Sequence, residues 1–388
     1  MSWPVSILDK HVDILSGFAF KSSFFNENGE GLPLIRIRDV VGGQSSTYYS
    51  GEYSEDFIIE DGDLLVGMDG DFNRERWSGG RALLNQRVCK ITAKGGALDQ
   101  GYLYHFLPKA LLKIHSETPA VTVKHLSVKG IKDIEIPLPL LPEQKRIVAI
   151  LDKADAIRRK RQQAIQLTDE FLRSVFLDMF GDPVTNGWEP VPAEKLALDE
   201  KGSIRTGPFG SQLLHSEFTD DGIAVLGIDN AVSNTFRWAK PRYISEEKYQ
   251  ELKRYTVRPG DILITIMGTC GRTAIVPDDC PTAINTKHLC CITLDKEKCT
   301  PEFLHSYFLM HPVSKDYFLR TAKGAVMDGL NMGIIKELPV YLPPIQLQRK
   351  YSVIQKKVIE IKNSIQLTQT GFEELFSSLS QKAFAGTL

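Results

Sequence analysis

Three carboxylates lie close together in the sequence and could bind a divalent cation. Asp69, Asp71 and Glu75 belong to the segment MDGDFNRE at 68–75, and carboxylates are the usual ligands of the metal ions in nucleases. A related segment, IMGTCGRT at 266–273, contains no acidic residue. The sequence therefore favours a loop of variable content, and a metal-dependent nuclease stays the less favoured alternative.

Arginine, lysine, amide and tryptophan side chains offer a second kind of chemistry, the recognition of DNA. Arginine matches guanine O6 and N7 or phosphate, and amide side chains match adenine. Arg36 and Arg38 alternate with isoleucines, which predicts that both leave one face of a strand. For each single residue a solvated, capping or packing role is an equally good interpretation, whereas the set favours DNA. The candidate DNA-binding residues are Lys21, Arg36, Arg38, Asn73, Arg74, Arg76, Trp77, Arg81, Arg87, Ser211, Gln212, Arg237, Trp238, Lys240, Arg242, Arg272, Lys287 and His288.

These candidates fall in two halves of the chain that repeat one another at a distance of about 200 residues. The order of the matching segments is preserved, and their offset grows as loop insertions in the second half would require. The scaffold segments agree while the loops differ, which indicates two related units with different loop chemistry. The matching pairs include GDLLVGMDG at 62–70 with GDILITIMG at 260–268, LIRIRD at 34–39 with VLGIDN at 225–230, and LPLLPEQKR at 138–146 with LPPIQLQRK at 342–350.

Each half begins with a strand-rich part. Apolar runs such as DLLVGM and DILITIM contain many β-branched residues and are bounded by glycine, proline, asparagine and aspartate, which predicts strands joined by turns. Apolar residues three and four apart predict one helix at 102–114 and another at 301–317.

Each half ends with a long helix, predicted at 143–180 and 347–384. About 38 residues give a length of about 57 Å. Strict 3-4 spacing of apolar residues favours an antiparallel coiled coil that would separate the two globular parts; the alternative is that each helix packs on its own domain. Arg161, Thr168 and Thr368 interrupt the seam. The predicted apolar seam residues are Ile147, Ile150, Ala154, Ile157, Phe171, Val175, Tyr351, Ile354, Val358, Ile361, Ile365, Phe372, Leu375 and Leu379.

The predicted fold class is α+β, with an internal duplication and pseudo-two-fold symmetry. Two strand-rich globular domains, 1–140 and 184–343, alternate with two helical spacers, 141–183 and 344–388, which together form a two-helix antiparallel coiled coil. A chain of 388 residues is long enough for this division.

Composition excludes several other classes of protein. The chain is 42% hydrophobic and carries 47 basic and 48 acidic residues, which is typical of a globular protein without a dominant charge. It lacks the run of about 18 apolar residues that a membrane span needs, and its first residues do not resemble a secretory signal, so we expect a cytoplasmic protein. Six cysteines without a C-x-x-C pair favour buried thiols over a metal site.

The segments GFAFKSS, LIRIRDV and GDLLVGMDGDF together resemble a target recognition domain of type I restriction-modification specificity subunits. The segment IPLPLLPEQKRIVAILDKADAIRRKR, followed by FLRSVFLDMFGDP, is similar to the helical region of the same family. LPPIQLQRK and the last helix match its second half, so the resemblance covers 1–388. Leu347 stands where the first copy has Glu143, while Gln348 is retained, so identical partner contacts at the two helix starts are not implied.

The resemblance implies a subunit that catalyses nothing itself, in agreement with the absence of known catalytic motifs from the sequence. Members of this family read a bipartite target in double-stranded DNA with two recognition domains. Their helical regions set the unread gap and dock two methyltransferase subunits, which bring S-adenosylmethionine and methylate adenine, and restriction subunits join them. The chain itself is expected to bind no cofactor and no metal. A DNA-binding scaffold of another defence complex is the main alternative.

Overall fold

The computed structural model describes residues 3–118, 123–321 and 330–388. The chain divides into two compact units: unit 1 comprises Met1–Gln162 with Leu367–Leu388, and unit 2 comprises Gln163–Gln366. None of the helices in the described ranges combines the length and the apolar character needed to cross a bilayer.

Unit 1 is built on short strands and a few helices. Its strands are β1 (Val5–Ile7), β2 (Val12–Ser16), β3 (Phe25–Asn26), β4 (Leu32–Ile35), β5 (Tyr48–Tyr49), β6 (Ile58–Ile59), β7 (Leu64–Gly67), β8 (Arg74–Arg76), β9 (Ala82–Leu84), β10 (Val88–Ala93) and β11 (Glu135–Pro137). Its helices are α1 (Asp39–Gly42), α2 (Gln100–Glu117), α3 (Val128–Lys132) and the first part of α4 (Leu141–Phe180).

The strands of unit 1 form three sheets, ordered β2-β10-β7-β8, β3-β5-β4-β9-β6 and β1-β11. Strand β7 has both faces covered: Leu64 and Val66 pack in one apolar core while Leu65 packs in another. This explains why its sequence is continuously apolar instead of alternating. In the five-stranded sheet, β4 and β9 run parallel, with Leu34 opposite Leu83.

Unit 2 repeats the plan. Its strands are β12 (Pro190–Pro192), β13 (Ile204–Thr206), β14 (Phe218–Thr219), β15 (Ile223–Leu226), β16 (Tyr243–Ile244), β17 (Thr256–Val257), β18 (Ile262–Thr265), β19 (Thr273–Ile275), β20 (Ala283–Asn285), β21 (Leu289–Ile292) and β22 (Pro339–Tyr341). Its helices are α5 (Glu246–Leu252), α6 (Pro301–Met310), α7 (Pro312–Thr321), α8 (Met332–Lys336) and the first part of α9 (Ile345–Ala385).

The sheets of unit 2 have the orders β13-β21-β18-β19, β14-β16-β15-β20-β17 and β12-β22, which match those of unit 1 strand for strand. The duplication predicted from the sequence is therefore confirmed in the topology. The single helix predicted at 301–317 is wrong: it is two helices separated at His311, whose backbone is extended. A residue before proline is disfavoured in the helical conformation, and Pro312 follows it.

The two long helices run antiparallel within each unit. In unit 1, Arg146 at the start of α4 donates to the carbonyl oxygen of Leu388 at 2.9 Å, and Arg161 further along α4 donates to Thr368. In unit 2, Nζ of Lys362 lies 2.6 Å from Oδ1 of Asp169.

The buried face of these helices departs from a strict heptad seam. Ile147, Tyr351 and Val358 are buried. The exposed seam residues are Ile157, Phe171, Ile361 and Leu375, and the half-buried ones are Ile150, Ala154, Val175, Ile354, Ile365, Phe372 and Leu379. Leu151, Leu172 and Phe176 are buried in their place. An α-helix has 3.6 residues per turn, so its buried face drifts by about 20° per heptad from a strict 3.5 repeat.

Candidate nucleic-acid interface

A concave site of about 530 Å³ opens at one end of the parallel pair β4 and β9 in unit 1. Because both strands end here, the segments that follow them, 36–38 and 85–87, lie side by side. This concave site is lined by Phe20, Ser22, Phe25, Arg36, Ile37, Arg38, Asn85, Gln86 and Arg87. Three of the predicted arginines thus meet in one cavity with two amide side chains, although they are about 50 residues apart in sequence.

Arg36 and Arg38 reach the concave site from a turn, and the prediction that they leave one face of a strand is wrong. Strand β4 ends at Ile35 because the buried carboxylate of Asp39 accepts a hydrogen bond of 2.9 Å from the backbone N–H of Arg36. The same carboxylate lies 3.7 Å from Nε of Arg38. Among the described residues, the guanidinium of Arg36 makes no ion pair or hydrogen bond, so it is free to reach a ligand.

Arg87 lies on the opposite wall and is half-exposed, with a carboxylate beside it. Its Nη1 is 3.4 Å from Oδ2 of Asp69, whose Oδ1 is 2.6 Å from Nδ1 of His125. Asn85 and Gln86 precede Arg87 on the same wall. Arginine, asparagine and glutamine are the side chains that read guanine and adenine edges in the major groove.

Arg74 and Arg76 are half-buried in unit 1, against helix α2, which favours a packing role over the predicted DNA contact. Their guanidinium carbons lie 3.6 Å and 4.2 Å from the ring centroid of Tyr104. Arg76 also lies 3.5 Å from Asp152 on α4. Burial lowers the pKa of Arg74. These arginines stack on an aromatic ring, an arrangement that stabilises the packing of β8 against α2 and α4.

Glu75 joins the same network, which separates it from Asp69, another carboxylate of the nuclease alternative. Its Oε2 is 2.8 Å from Arg159 on α4, and its Oε1 accepts a hydrogen bond of 2.9 Å from Tyr104. Asp69, by contrast, contacts Arg87 and His125. In the part of the chain that the structure describes, no three histidine, cysteine, aspartate or glutamate side chains form a group that could hold a metal ion.

Trp77 is 2% exposed and packs in an apolar core with Ile35 and Leu65. Its Nε1 donates to the carbonyl oxygen of Gly80, so the predicted contact with DNA is wrong for this side chain. Arg81 is exposed and paired with Glu55 at 3.2 Å. Lys21 and Asn73 are exposed, and Lys21 directly precedes Ser22 of the concave site.

The equivalent strand ends of unit 2 present different groups. Strands β15 and β20 are parallel, with Leu226 opposite Asn285. Arg242 fills the space where Arg36 stands in unit 1: its Nη2 is 2.5 Å from Asp229, and a Cβ added at Gly227 would meet it at 2.5 Å. Glycine at this position therefore makes room for an arginine from a neighbouring loop.

The other candidates of unit 2 surround this position or lie on separate turns. Trp238 is 54% exposed and, with Lys240 and Arg242, lines a small cavity. The pKa of His288 is lowered by burial and by the nearby charges of Lys287 and Arg242. The exposed candidates are Ser211, Gln212, Arg237, Lys240 and Arg272. The side-chain oxygen of Gln212 already accepts hydrogen bonds from Tyr255 and the backbone of Phe209.

Sequence reasoning missed Asn85 and Gln86 of the concave site and the carboxylate of Asp69 as a partner of Arg87. The available signal was a polar N-Q-R segment directly after the apolar run ALL at 82–84. That signal marks the end of a strand but does not tell which strand lies beside it.

Comparison with known proteins identifies the family. A family model described as the type I restriction modification DNA specificity domain matches residues 3–167 and 213–370. The EcoBI type I restriction enzyme specificity subunit of Escherichia coli is 33% identical over 411 residues, covering 100% of this chain and 86% of that subunit. The MjaVIII specificity subunit of Methanocaldococcus jannaschii is 24% identical, and the match covers 80% of this chain and 76% of that subunit.

A solved structure shares the fold. The S subunit of the type I restriction-modification system from M. genitalium matches with a TM-score of 0.61 at 15% identity, covering 99% of this chain and 96% of that one. The fold and the paired sites define a duplicated DNA-specificity protein. The chain belongs to the type I restriction modification DNA specificity family.

Proposed function

We propose that this chain is the DNA-specificity subunit of a type I restriction-modification complex, in which unit 1 and unit 2 each read one half of a bipartite target. The observation that carries the proposal is the concave site at the ends of β4 and β9, together with its counterpart at β15 and β20. The two sites share a backbone plan but differ in side chains, as two readers of different half-sites require.

In this proposal recognition divides between phosphates and bases. Arg36, whose guanidinium is free, clamps a flanking phosphate, while Arg87, Asn85 and Gln86 face the edges of base pairs. Phosphate neutralisation supplies most of the affinity and its salt dependence, and the base contacts supply the discrimination. In unit 2, Arg242, Lys240 and Trp238 take the corresponding roles.

The long helices are proposed to hold the partner subunits and to set the unread gap. Ile157, Phe171, Ile361 and Leu375 are about half exposed along α4 and α9, which leaves apolar surface for a methyltransferase subunit. S-adenosylmethionine would bind to that partner and not to this chain, and two such partners would serve the two units. Restriction subunits would join the assembled methyltransferase.

The test is modification mapping. The chain is expressed with its methyltransferase partner in a host without adenine methylation, and methyladenine is mapped by long-read sequencing. The expected result is one split motif with two defined ends and a constant gap. A contiguous motif, or methylation that persists when this chain is omitted, would contradict the proposal.

A further inference from the structure

Asp69 is a carboxylate fixed in place at the rim of the concave site. Besides its contacts with Arg87 and His125, its backbone forms an antiparallel bridge with that of His125. The side chain of Asp69 is only 20% exposed, whereas that of Arg87 is 54% exposed. The carboxylate is therefore the anchored partner, and the guanidinium is the part that faces solvent.

We propose that Asp69 is a positioning residue that orients Arg87 to read guanine in the half-site bound by unit 1. The inference rests on the proposed function. It adds which base unit 1 reads, guanine, and which residue orients the arginine that reads it, Asp69. A guanidinium is planar and carries five N–H donors in a fixed fork. When a carboxylate holds one of its nitrogens, the remaining donors point in a defined direction, as the bidentate contact with guanine O6 and N7 requires.

The charge of the pair argues for base reading over phosphate binding at Arg87. Asp69 cancels the charge of Arg87, so the pair as a whole attracts phosphate weakly and releases few counterions on binding. Arg36, without such a partner among the described residues, keeps its full charge in the same concave site. Arg87 is thus suited to discrimination between bases, and Arg36 to affinity.

The pair also belongs to the part of the fold that differs between the copies. In unit 1 the backbone N–H of Met68 donates to the carbonyl of Arg87, and in unit 2 that of Ile266 donates to the carbonyl of His288. These matching bonds place His288 where unit 1 has Arg87, and Met267 where it has Asp69. A pair needed only for the shared scaffold would be expected in both copies.

The first test is the variant Asp69→Asn in the complex with the methyltransferase partner. Methylation rates are compared in competition between duplexes with the mapped motif and duplexes with each base pair of one half-site replaced. We expect discrimination at one G·C pair to fall by about five- to 150-fold, the range for one bidentate contact. Binding to unrelated DNA should be retained or become tighter, because the variant removes one negative charge.

The control is Asp9→Asn, which changes the charge of unit 1 equally at an ion pair with Lys132 outside the concave site. It should leave discrimination unchanged. Equal loss at every position of both half-sites in Asp69→Asn would show a purely structural role and overturn the inference. Unchanged discrimination would overturn it as well.

A second test asks whether Arg87 contacts the N7 atom of the guanine. Replacing the guanine at the affected position with 7-deazaguanine removes N7, so it should weaken methylation by the wild-type complex but have little further effect in Arg87→Met, which has no donor for N7. An affected half-site without guanine on either strand would contradict the inference, while a wild-type complex that yields no split motif would contradict the proposed function itself.

Discussion

The side-chain oxygen of Gln144 accepts a hydrogen bond of 2.8 Å from the backbone N–H of Asp99, the residue that caps helix α2. Its amide donates to the carbonyls of Ala97 and Pro139. In unit 2, Gln348 makes the same set of bonds to Thr300, Lys298 and Pro343. The retained glutamine at the start of each long helix therefore ties that helix to its own globular part.

We expect Gln144→Ala to destabilise unit 1 by about 2–4 kcal/mol, because three backbone groups lose their partner at a side chain that is fully buried. The measurement is the free energy of unfolding in urea. Gln163→Ala, an exposed position on α4, is the matched control and should change stability by less than about 0.5 kcal/mol. Equal stability of the two variants would show that the bonds of Gln144 contribute nothing.

Arg76→Met should destabilise the chain and leave the recognised motif unchanged, since Arg76 stacks on Tyr104 and pairs with Asp152. The expected loss is about 1–2 kcal/mol, from one cation–π contact and one half-exposed ion pair. Urea unfolding measures the stability, and modification mapping gives the motif. If the recognised motif of the variant changed at a base in one half-site, Arg76 would be shown to contact DNA.

Arg36→Ala should weaken binding to all DNA sequences alike and reduce the salt dependence of affinity by about one unit in the slope of log K against log salt concentration. The reason is the loss of one phosphate contact with no base contact. Titration of the complex at several salt concentrations gives the slope. Lys10→Ala, an exposed position outside the concave site, is the charge-matched control, and a similar effect there would refute a specific role for Arg36.

Stability should fall as the pH drops below about 6.5, the ordinary pKa of histidine. Burial lowers the pKa of His305 and of His311 in the folded chain. The unfolded chain therefore binds more protons in this range, so acid favours unfolding, and the contribution is constant above pH 6.5. Urea midpoints at pH 7.5, 6.5 and 5.5 measure the trend. His305→Asn should flatten it; an unchanged slope would show that His305 does not carry it.

Shortening both long helices by one heptad should shorten the unread gap. Removal of 162–168 together with 361–367 takes one heptad from each helix. It retains Arg161 and Thr368, which contact each other in unit 1, and removes Lys362, the partner of Asp169 in unit 2. Seven residues span about 10 Å, the rise of about three base pairs. Modification mapping reads the gap directly. A functional variant with an unchanged gap would exclude the helices as the determinant of spacing.

The parts of the fold that depend on local pattern could be predicted from the sequence. The repeat, the apolar strands such as β7 and the two long helices follow from periodicity and turn residues. The assembly of the concave site could not, because the parallel pairing of β4 with β9 joins segments about 50 residues apart. The burial of Trp77 and the stacking of Arg76 on Tyr104 could not be predicted for the same reason: their partners in the fold, and not their neighbours in sequence, decide their surroundings.

The most direct measurement of the central claim is modification mapping of the Asp69→Asn complex beside the wild type. If unit 1 reads one half of a bipartite target, the wild type gives a split methyladenine motif, and the variant relaxes a guanine-containing position in one half while the other half and the gap stay the same. Equal change in both halves, or no split motif in the wild type, would contradict the division of recognition between the two units.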